Sequence, residues 1–351
     1  MNPTEAASRD EFAARLLAWF DTHGRHDLPW QHPRTPYRVW VSEIMLQQTQ
    51  VRTVLAYFDR FIARFPELPA LATATEDEVL ALWSGLGYYS RARNLRRAAR
   101  LCLERHGGTL PDTLDALTAL PGIGRSTAAA ILAQAHGQRQ AILDGNVRRV
   151  LARHLGETGW PGQPVVERRL QAAAEARLPG LRLADYSQAL MDFGATLCTP
   201  RRPRCADCPL RGDCRAFADG RVEHLPARRP AKPLPTRQAH LLVLRDPHGA
   251  VLLERRDGKG VWQGLWSLPE AADAEAAESL RARLGAAPGR SLPAFGHAFS
   301  HYRLDLHPSL HEVRETQLAD NADGSQRWVG PAHYDSLGLP RPIRRLLESL
   351  P

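Results

Sequence analysis

The sequence predicts two domains of different class, an all-α domain followed by a smaller α+β domain. Residues 10–225 carry apolar side chains at helical spacing, separated by Gly- and Pro-containing breaks. Residues 226–237 (PARRPAKPLPTR) combine prolines and basic residues without periodicity, which indicates a linker. Residues 239–256 then form two apolar runs around a Pro-His-Gly turn, a hairpin pattern. We therefore predict domains at 1–225 and 238–351, joined by the linker.

The longest helical pattern covers residues 38–65, behind a start signal at Thr35-Pro36. The first domain has further predicted helices at 10–22, 76–83, 90–106, 112–119, 125–135, 145–154, 166–177 and 184–196. In the second domain we predict a helix near 273–284, a strand near 299–306 and a final helix near 341–350.

The charge of the chain points to an anionic partner. The 351 residues carry a formal net charge of +8, which favours nucleic acid first and a membrane surface second, although a merely basic enzyme fits as well. No stretch approaches the ~18 apolar residues of a membrane span. The amino terminus lacks the apolar core of a secretory signal, so we expect a cytoplasmic location and reduced thiols. Nothing in the sequence indicates a dimer, so we expect a monomer.

Four of the five cysteines are crowded into one short segment, at Cys198, Cys205, Cys208 and Cys214. Four thiolates at this spacing can bind a tetrahedral zinc ion or a [4Fe–4S] cluster. Zinc ribbons usually use two CxxC pairs, and only one is present, so the spacing favours iron–sulfur while zinc stays open. The loop after Cys198 contains three arginines, which suits a phosphate-contacting finger or a solvated basic loop.

A glycine-containing turn and an aspartate are further candidate functional features. Leu120-Pro-Gly122-Ile-Gly124 precedes a predicted helix, whose unpaired N–H groups could bind phosphate. Asp144 stands just before another predicted helix, where an aspartate most often serves only as an N-cap. Each signal is weak when taken alone.

Together, the turn and the aspartate resemble the helix-hairpin-helix/GPD superfamily of DNA glycosylases. The resemblance implies that the hairpin with Gly122 and Gly124 contacts the DNA backbone and that Asp144 serves catalysis. The cysteine spacing is similar to that of the iron–sulfur branch of this superfamily. The resemblance therefore implies a [4Fe–4S] cluster on the motif at 198–214.

Three further motifs are similar to the MutY adenine glycosylases. They are VSEIMLQQTQ at 41–50, Leu28-Pro-Trp30, and GLGYYSRARN at 85–94. This resemblance covers the chain from about residue 10 to the carboxyl terminus. It implies excision of adenine mispaired with 8-oxoguanine or guanine in double-stranded DNA, after the nucleotide is flipped out of the duplex.

The chemistry of adenine release explains why such a site needs two carboxyl groups, one protonated and one ionised. Adenine leaves readily only after a ring nitrogen is protonated, and its loss creates positive charge on the sugar. Glu43 lies in a strongly apolar helix, so burial should raise its pKa, although a solvated helix glutamate is the alternative. Asp144, near a helix N-terminus with Asn146 in reach, should stay ionised. The resemblance gives Glu43 the role of acid and Asp144 the stabilisation of the sugar.

Position 126 distinguishes two kinds of relative. In the bifunctional endonuclease III type, a lysine there attacks the sugar, whereas Ser126 cannot form a Schiff base. Arg148 replaces a lysine that many relatives have, which should weaken any residual lyase activity. We therefore predict a monofunctional glycosylase. The rivals are a bifunctional pyrimidine-lesion glycosylase, a zinc protein that only binds DNA, and a nucleotide-hydrolysing Nudix enzyme.

The resemblance also implies contacts with the flipped base and the DNA stack. Gln48 and Tyr88 are expected to enter the stack with Leu46 beside them, and Leu28 and Trp30 to line the adenine pocket. A set of arginines on one predicted helix could meet phosphates or form a solvated face; it comprises Arg91, Arg93, Arg96, Arg97 and Arg100.

The second domain resembles the Nudix-like domain of MutY proteins. Residues 275–285 (EAAESLRARLG) lack the acidic cluster that a hydrolytic Nudix helix needs for magnesium, so nucleotide hydrolysis is not expected. In the family this domain checks the base opposite adenine. The corresponding motif is Phe299-Ser-His, in which Ser300 and His301 are expected to contact 8-oxoguanine.

Overall fold

The computed structural model of the chain describes residues 3–229, 233–258, 260–313 and 324–350. It separates into two compact units. The first unit comprises Met1–Ala72 and Arg97–Pro230, and the second comprises Thr73–Arg96 and Ala231–Pro351. The domain limits at 225 and 238 remain predictions. Within the described residues, no helix combines the length and the apolar character needed to cross a membrane.

The amino-terminal part of the chain is helical, as predicted. Its helices are α1 (Pro3–His23), α2 (Pro36–Leu46), α3 (Val51–Arg64), α4 (Leu68–Thr73), α5 (Glu76–Trp83), α6 (Ser90–Arg105), α7 (Leu114–Thr118), α8 (Arg125–His136), α9 (Gly145–Leu155), α10 (Pro164–Ala176), α11 (Leu183–Thr196) and α12 (Arg215–Ala218). The short helices α4 and α12 were not predicted, because four to six residues carry too little periodicity to be recognised.

The predicted continuous helix over 38–65 is wrong, because the chain forms two helices there. Thr35 caps α2 by accepting a hydrogen bond from the backbone N–H of Arg38. The chain then turns between Leu46 and Val51, and Gln48 takes a positive φ of 59°. The apolar spacing continues on both sides of this turn, so the periodicity gives no sign of the break.

Two groups of buried side chains form the core of the first unit. One joins α1, α9, α10 and α11. Phe12, Leu151 and Phe193 are at most 1% exposed there. The other involves α2 and α3, where Trp40 and Phe58 are fully buried. Burial of large aromatic and aliphatic side chains of this kind provides most of the folding free energy.

The second unit is built on one mixed sheet. Its strands are β1 (Thr236–Arg245), β2 (Val251–Arg255), β3 (Trp266–Ser267), β4 (Glu270–Ala271), β5 (Arg290–Ser291), β6 (Phe295–Ala298), β7 (Arg303–Glu312) and β8 (Gln326–Val329). The path through the sheet runs β3-β2-β1-β7-β5, while β4, β6 and β8 pair with β1, β7 and β2. Strands β1 and β7 are parallel, and the other pairs are antiparallel.

The hairpin predicted at 239–256 is confirmed as β1 and β2, with Arg245 opposite Val251. The two predicted helices are α13 (Ala274–Arg283) and α14 (Arg341–Glu348). The strand predicted near 299–306 is displaced, because β7 begins only at Arg303. Residues 299–302 form the turn between β6 and β7, closed by a hydrogen bond from the N–H of Phe299 to the carbonyl of Tyr302.

Residues 73–96 pack within the second unit through polar contacts to its carboxyl-terminal part. The hydroxyls of Ser84 and Tyr89 both donate to the carbonyl of Leu339, at 3.2 and 3.1 Å. Helix α5 begins with a capping box between Thr75 and Glu78. Of the predicted linker, 226–229 and 233–235 have no helix or strand, while Thr236 already begins β1. The linker residues 230–232 lie outside the described residues.

Helices α9 and α11 approach each other closely at Gly194. A Cβ atom added at Gly194 would lie 2.6 Å from the Cβ of Asn146 and 3.1 Å from its backbone oxygen. Such a distance requires one of the two helices to move.

We predict that Gly194→Ala lowers the free energy of unfolding by about 1–3 kcal/mol, because overpacking outweighs the better helix propensity of alanine. Denaturant unfolding of the whole protein measures the change. Gly180→Ala is the matched control, because a Cβ there meets nothing within 4 Å. A Gly194→Ala protein as stable as the wild type would show that the helices separate at no cost.

Candidate active site

A cavity of about 830 Å³ lies in the first unit, lined by residues from α2, the turn after it, the starts of α8 and α9, and α11. Many residues singled out in the sequence meet in its wall: Leu28, Trp30, Glu43, Leu46, Gln48, Ser126, Asp144 and Asn146. Residues that are about 100 positions apart in the sequence, such as Glu43 and Asp144, are thus brought to one site.

Glu43 lies on the cavity side of α2 and is only partly exposed. Burial and, as a second cause, the nearby charge of Asp144 raise the pKa of its carboxyl group to about 8. A hydrogen bond from the side chain of Gln134 opposes these effects. The expectation that burial raises the pKa of Glu43 agrees with this geometry, and the carboxyl group holds its proton at neutral pH.

Asp144 is both a helix cap and a wall residue of the cavity. Its carboxylate accepts from the backbone N–H of Val147 at 2.7 Å and from Nδ2 of Asn146 at 3.1 Å. Burial raises the pKa of Asp144, while these hydrogen bonds and the charge of Arg149 lower it. Asp144 lies at the N-terminus of α9, as expected, and this position favours its ionised form. Desolvation has the larger effect, so the pKa of Asp144 is raised.

The two carboxyl groups titrate as a coupled pair. Burial raises the pKa of both, and the negative charge of Asp144 is a further cause of the raised pKa of Glu43. When Asp144 is ionised and Glu43 is protonated, the cavity holds an anion beside an acid. This is the pairing that glycosidic bond cleavage needs.

Arg149 has no recognisable signal in the sequence. It holds the side chain of Asn146, which is a hydrogen-bond partner of Asp144. Its Nη2 donates to Oδ1 of Asn146 at 2.9 Å and to the carbonyl of Gly194 at 2.7 Å, and its Nε donates to the carbonyl of Cys198 at 2.8 Å. With Oδ1 of Asn146 occupied, Nδ2 faces Asp144. Arg149 thus ties the start of α9 to the end of α11.

The apolar side of the cavity is formed ahead of α2. Leu28 and Trp30 are 4% and 3% exposed, and Trp30 packs edge-to-face against Phe58. Gln48 is exposed in the turn after α2, in the left-handed backbone region with φ of 59°. Leu46 ends α2 immediately before it. Strained backbone in an exposed residue of a cavity wall is a feature of binding sites.

The glycine turn opens α8 with free backbone donors. Leu120 and Ile123 are buried, Gly122 has φ of 80°, and Gly124 is the N-cap of α8 without a side-chain cap. Ser126 lies in the first turn of α8 and reaches the cavity wall. The first N–H groups of this helix are therefore available to an anion.

Two positions that distinguish the relatives both face the cavity of the first unit. Ser126 lines the cavity from the first turn of α8. Arg148 also lines the cavity, and its guanidinium is hydrogen-bonded to Glu167.

Several polar residues of the site carry no recognisable sequence signal. Gln188 lines the cavity, and Asp192 lies one helical turn further along α11, paired with Arg25. Gln134 on α8 reaches Glu43 and is 4% exposed. These residues stand at buried positions of helical patterns, where sequence reasoning expects apolar side chains. Only the polarity of these buried positions could have drawn attention to them.

The four motif cysteines line one pocket of the first unit, together with Arg153. Burial is the first cause that raises the pKa of Cys205, Cys208 and Cys214, and the neighbouring cysteine Cys198 contributes to each of them. Nη1 of Arg153 donates to Sγ of Cys198 at 3.3 Å and to the carbonyl of Thr199 at 2.7 Å. Among the described residues, no group of three or more His, Cys, Asp or Glu is arranged to hold a metal ion.

A second cavity, of about 540 Å³, lies in the second unit. Tyr88, Ser300 and His301 line it together with Trp262 and Phe299. Tyr88 is 45% exposed and has φ of 48°. Ser300 and His301 are exposed in the turn before β7, with 3.4 Å between Oγ and Nδ1. Tyr88 therefore belongs to the cavity of the second unit, while Gln48 belongs to that of the first.

The helix at the predicted Nudix position lacks an acidic cluster, as the sequence indicated. Helix α13 contains Glu275 and Glu278, and Glu278 forms an ion pair with Arg281 on the same helix.

Models of two protein families match the chain. The model described as "HhH-GPD superfamily base excision DNA repair protein" matches residues 41–176. The model described as "NUDIX domain" matches residues 240–349. The predicted fold class is therefore confirmed, with a helix-hairpin-helix glycosylase domain followed by an α+β Nudix-like domain.

Curated relatives match almost the whole chain. An adenine DNA glycosylase of Buchnera aphidicola subsp. Acyrthosiphon pisum (strain APS) is 34% identical over 342 residues, covering 96% of this chain and 97% of its own length. An adenine DNA glycosylase of Mus musculus is 36% identical over 389 residues, covering 93% of this chain and 75% of its own.

Solved structures agree for the helical part. A thermostable thymine-DNA glycosylase superposes with a TM-score of 0.55 at 30% identity, over 61% of this chain and 98% of that chain. An endonuclease III in a DNA complex gives 0.52 at 20% identity, over 61% of this chain and 97% of that chain, and shares the fold. The chain belongs to the adenine DNA glycosylase family and is a DNA N-glycosylase of base excision repair.

Proposed function

We propose that the protein hydrolyses the N-glycosidic bond of adenine mispaired with 8-oxoguanine, and less selectively with guanine, in double-stranded DNA. The observation that carries this proposal is the pair of carboxyl groups, Glu43 and Asp144, which line one cavity and whose pKa values burial raises.

The target nucleotide leaves the duplex before the reaction. A base inside the stack cannot reach a cavity that lies within a protein, so the enzyme must extrude it. The cavity has room for a purine, at about 830 Å³, and Leu28 and Trp30 supply an apolar wall. Gln48 and Leu46 beside this cavity and Tyr88 in the second unit are the residues we assign to the DNA stack.

Glu43 supplies the proton that makes adenine a leaving group. A carboxyl group with a pKa of about 8 is protonated at neutral pH and can transfer its proton to a ring nitrogen, N7 by family resemblance. Departure of the base then leaves positive charge on the sugar. The carboxylate of Asp144, oriented by Val147 and Asn146, stabilises this oxocarbenium-like sugar or briefly bonds to its carbon. Water then adds to the same carbon and loses a proton, which leaves a hydroxyl on the sugar, free adenine and the carboxylate of Asp144.

The reaction stops at base removal. Strand cleavage by the lyase route requires an amine that forms a Schiff base with the sugar, and Ser126 and Arg148 do not supply one. We therefore propose a monofunctional glycosylase.

We predict that Glu43→Gln slows adenine release by about 100-fold or more, because the acid is lost. The wild-type rate should fall about tenfold per pH unit above pH ~8, where Glu43 loses its proton, and the variant should lack this decline. Single-turnover cleavage of an adenine:8-oxoguanine duplex measures both. The pKa of Glu43 is higher in the folded than in the unfolded protein, so the free energy of unfolding also falls as the pH rises towards about 8. Circular dichroism at each pH must therefore show that the protein is still folded.

Asp144→Asn should slow release by a similar factor while leaving mismatch binding largely intact, since the sugar loses its counter-charge. Glu104→Gln is the matched control, because Glu104 is a half-exposed side chain of α6 that does not line the cavity. Full activity of either site variant would remove that residue from the mechanism. A strong covalent adduct trapped with borohydride would contradict the monofunctional assignment.

Contacts to the DNA backbone follow from two basic features of the first unit. The uncapped start of α8 after Gly122 and Gly124 offers backbone N–H groups to a phosphate. The loop after Cys198 exposes Arg201, Arg202 and Arg204, and Thr199 hydrogen-bonds the carbonyl of Arg201 within it. Both features position a duplex without reading its sequence.

We propose that Cys198, Cys205, Cys208 and Cys214 hold a [4Fe–4S] cluster. The donor set fits this group, because four thiols of the motif line one pocket and soft sulfur is the ligand that iron–sulfur clusters require. A bound cluster would cross-link the loop through these four side chains. Two arginines of α9 hold the start of this loop. Arg149 donates to the carbonyl of Cys198, and Arg153 donates to its sulfur.

The purified protein should contain about four iron and four sulfide per chain and absorb visible light. Cys205→Ser should lose iron and the arginine loop should lose its order, which weakens DNA binding. Cys102→Ala is the control, because Cys102 is buried away from the motif and should leave the iron content unchanged. A colourless protein that contains zinc would contradict the cluster.

The second unit is assigned to recognition of the base opposite adenine. Ser300 and His301 offer exposed hydrogen-bonding groups beside Phe299 and Trp262, at the cavity that also contains Tyr88. Polar edges next to aromatic faces suit a purine with extra donors and acceptors, such as 8-oxoguanine. This role rests on the family resemblance together with that lining.

We predict that the double change Ser300→Ala, His301→Ala narrows the preference for adenine:8-oxoguanine over adenine:guanine about tenfold, because up to two hydrogen bonds are lost. The ratio of single-turnover rates for the two duplexes measures it. His333→Ala is the control, since His333 is exposed in the same unit outside the cavity. An unchanged ratio would show that Ser300 and His301 do not recognise the base opposite adenine.

The monomeric state and the cytoplasmic location stay predictions.

A further inference from the structure

A groove of about 740 Å³ lies in the second unit, between the sheet and α14. Its strand side is formed by six consecutive residues, 292–297, which include the start of β6. We call it the β6–α14 groove. The residues assigned to catalysis and to base recognition do not line it. The residues on its helix side are Arg341, Pro342, Arg345, Leu346, Ser349 and Leu350.

The strand side of the groove is an open edge of the sheet. Strand β7 pairs along its whole length with β1, so β5 and β6 share the other side of β7. Within the described residues, no strand pairs with the outer edge of β6. Successive strand residues point to opposite faces, so a groove lined by six consecutive residues runs along the backbone edge. The outward N–H and C=O groups of β6 can therefore pair with an added strand.

The helix side of the groove carries positive charge that the described part of the chain does not compensate. Arg341 and Arg345 are exposed and form no ion pair with any residue that the structure describes. By contrast, Arg344 of the same helix is paired with Asp335 at 2.6 Å and with Glu348 at 3.6 Å. None of the described residues that line the groove is acidic. The groove therefore attracts an anionic ligand.

An apolar wall beside these charges favours a peptide over a nucleic acid as the ligand. Leu292 and Phe295 are half-buried on the strand side, and Leu346 is 7% exposed on the helix side. A nucleic-acid backbone contributes phosphates and sugars to a protein surface and leaves an apolar wall uncovered. A peptide can bury an apolar side chain there and pair its backbone with the open strand edge.

The spacing of the two arginines matches an extended acidic segment. Arg341 and Arg345 lie one helical turn apart on α14, so their Cβ atoms are about 5–6 Å apart. In an extended strand, residues two positions apart share a face and lie about 7 Å apart. Two carboxylates separated by one residue can therefore each meet one guanidinium.

We propose that the β6–α14 groove binds an extended acidic segment of a partner protein, which adds a strand to β6. Two carboxylates of the segment pair with Arg341 and Arg345, and one bulky apolar side chain packs against Phe295 and Leu346. Binding of this segment is separate from base excision, so the proposal stands or falls independently of the glycosylase function.

The probe is a library of random nonapeptides displayed on phage and selected on the full-length protein. We expect the enriched peptides to carry two acidic residues separated by one position, with a bulky apolar residue nearby. Fluorescence anisotropy then measures the affinity of the labelled synthetic peptides. Arg345→Glu should weaken their binding at least tenfold, because attraction is replaced by repulsion. Arg345 is preferred to Arg341 because Arg341 also lines the cavity that contains Ser300 and His301.

Arg283→Glu is the matched control, because Arg283 is an exposed arginine on a helix of the same unit, α13, and does not line the groove. This variant should keep the wild-type affinity for the peptides. An equal loss there would reveal unspecific charge attraction and overturn the proposal. Enriched peptides without paired acidic residues, or peptides that bind Arg345→Glu as well as the wild type, would overturn it too.

Two further measurements test the added strand and the class of ligand. The bound peptide should slow hydrogen exchange of the backbone amides within 295–298, and unchanged exchange there would contradict strand addition. An adenine:8-oxoguanine duplex should bind Arg345→Glu and the wild type equally. A duplex affinity that falls as much as the peptide affinity would assign the arginines to the DNA backbone and overturn the proposal.

Discussion

The candidate active site depends on one electrostatic constraint, that two largely buried carboxyl groups, those of Glu43 and Asp144, share one cavity and each raise the cost of ionising the other. Asp144 can carry the negative charge there because it caps α9 and receives hydrogen bonds from Val147 and Asn146. For Glu43, the hydrogen bond from Gln134 opposes burial, and the pKa is nevertheless raised to about 8. The proposed pairing of an acid with an anion depends on this difference between the two environments.

The packing of the first unit maintains that difference. Helices α9 and α11 touch at Gly194, where the absence of a side chain lets Asn146 approach. Arg149 then binds Asn146, the end of α11 and the carbonyl of Cys198. The cap of Asp144 is consequently supported by a chain of contacts that reaches the cysteine loop, and a small displacement of either helix would alter the charge balance of the cavity.

The residues assigned to the DNA stack share a different physical property. Gln48 and Tyr88 both take a left-handed backbone conformation and expose their side chains. Non-glycine residues adopt this conformation at a cost of about 1–3 kcal/mol, which the surrounding structure must offset. A helical pattern in the sequence contains no sign of such strain, which is why 38–65 was expected to be continuous. The break that it missed is the feature that brings Gln48 to the cavity.

The sequence by itself determined the fold class and the hairpin at β1 and β2, and it singled out the cysteine motif, Glu43, Ser126 and Asp144 as candidates. These follow from periodicity, from residue chemistry and from ordered motifs, all of which are local. Only the tertiary structure decided that Asp192, Arg25 and Gln188 form a network behind the cavity, that burial raises the pKa of Asp144 as well, and that Tyr88 belongs with Ser300 and His301. Burial and long-range hydrogen bonds cause these properties, and neither leaves a local pattern in the chain.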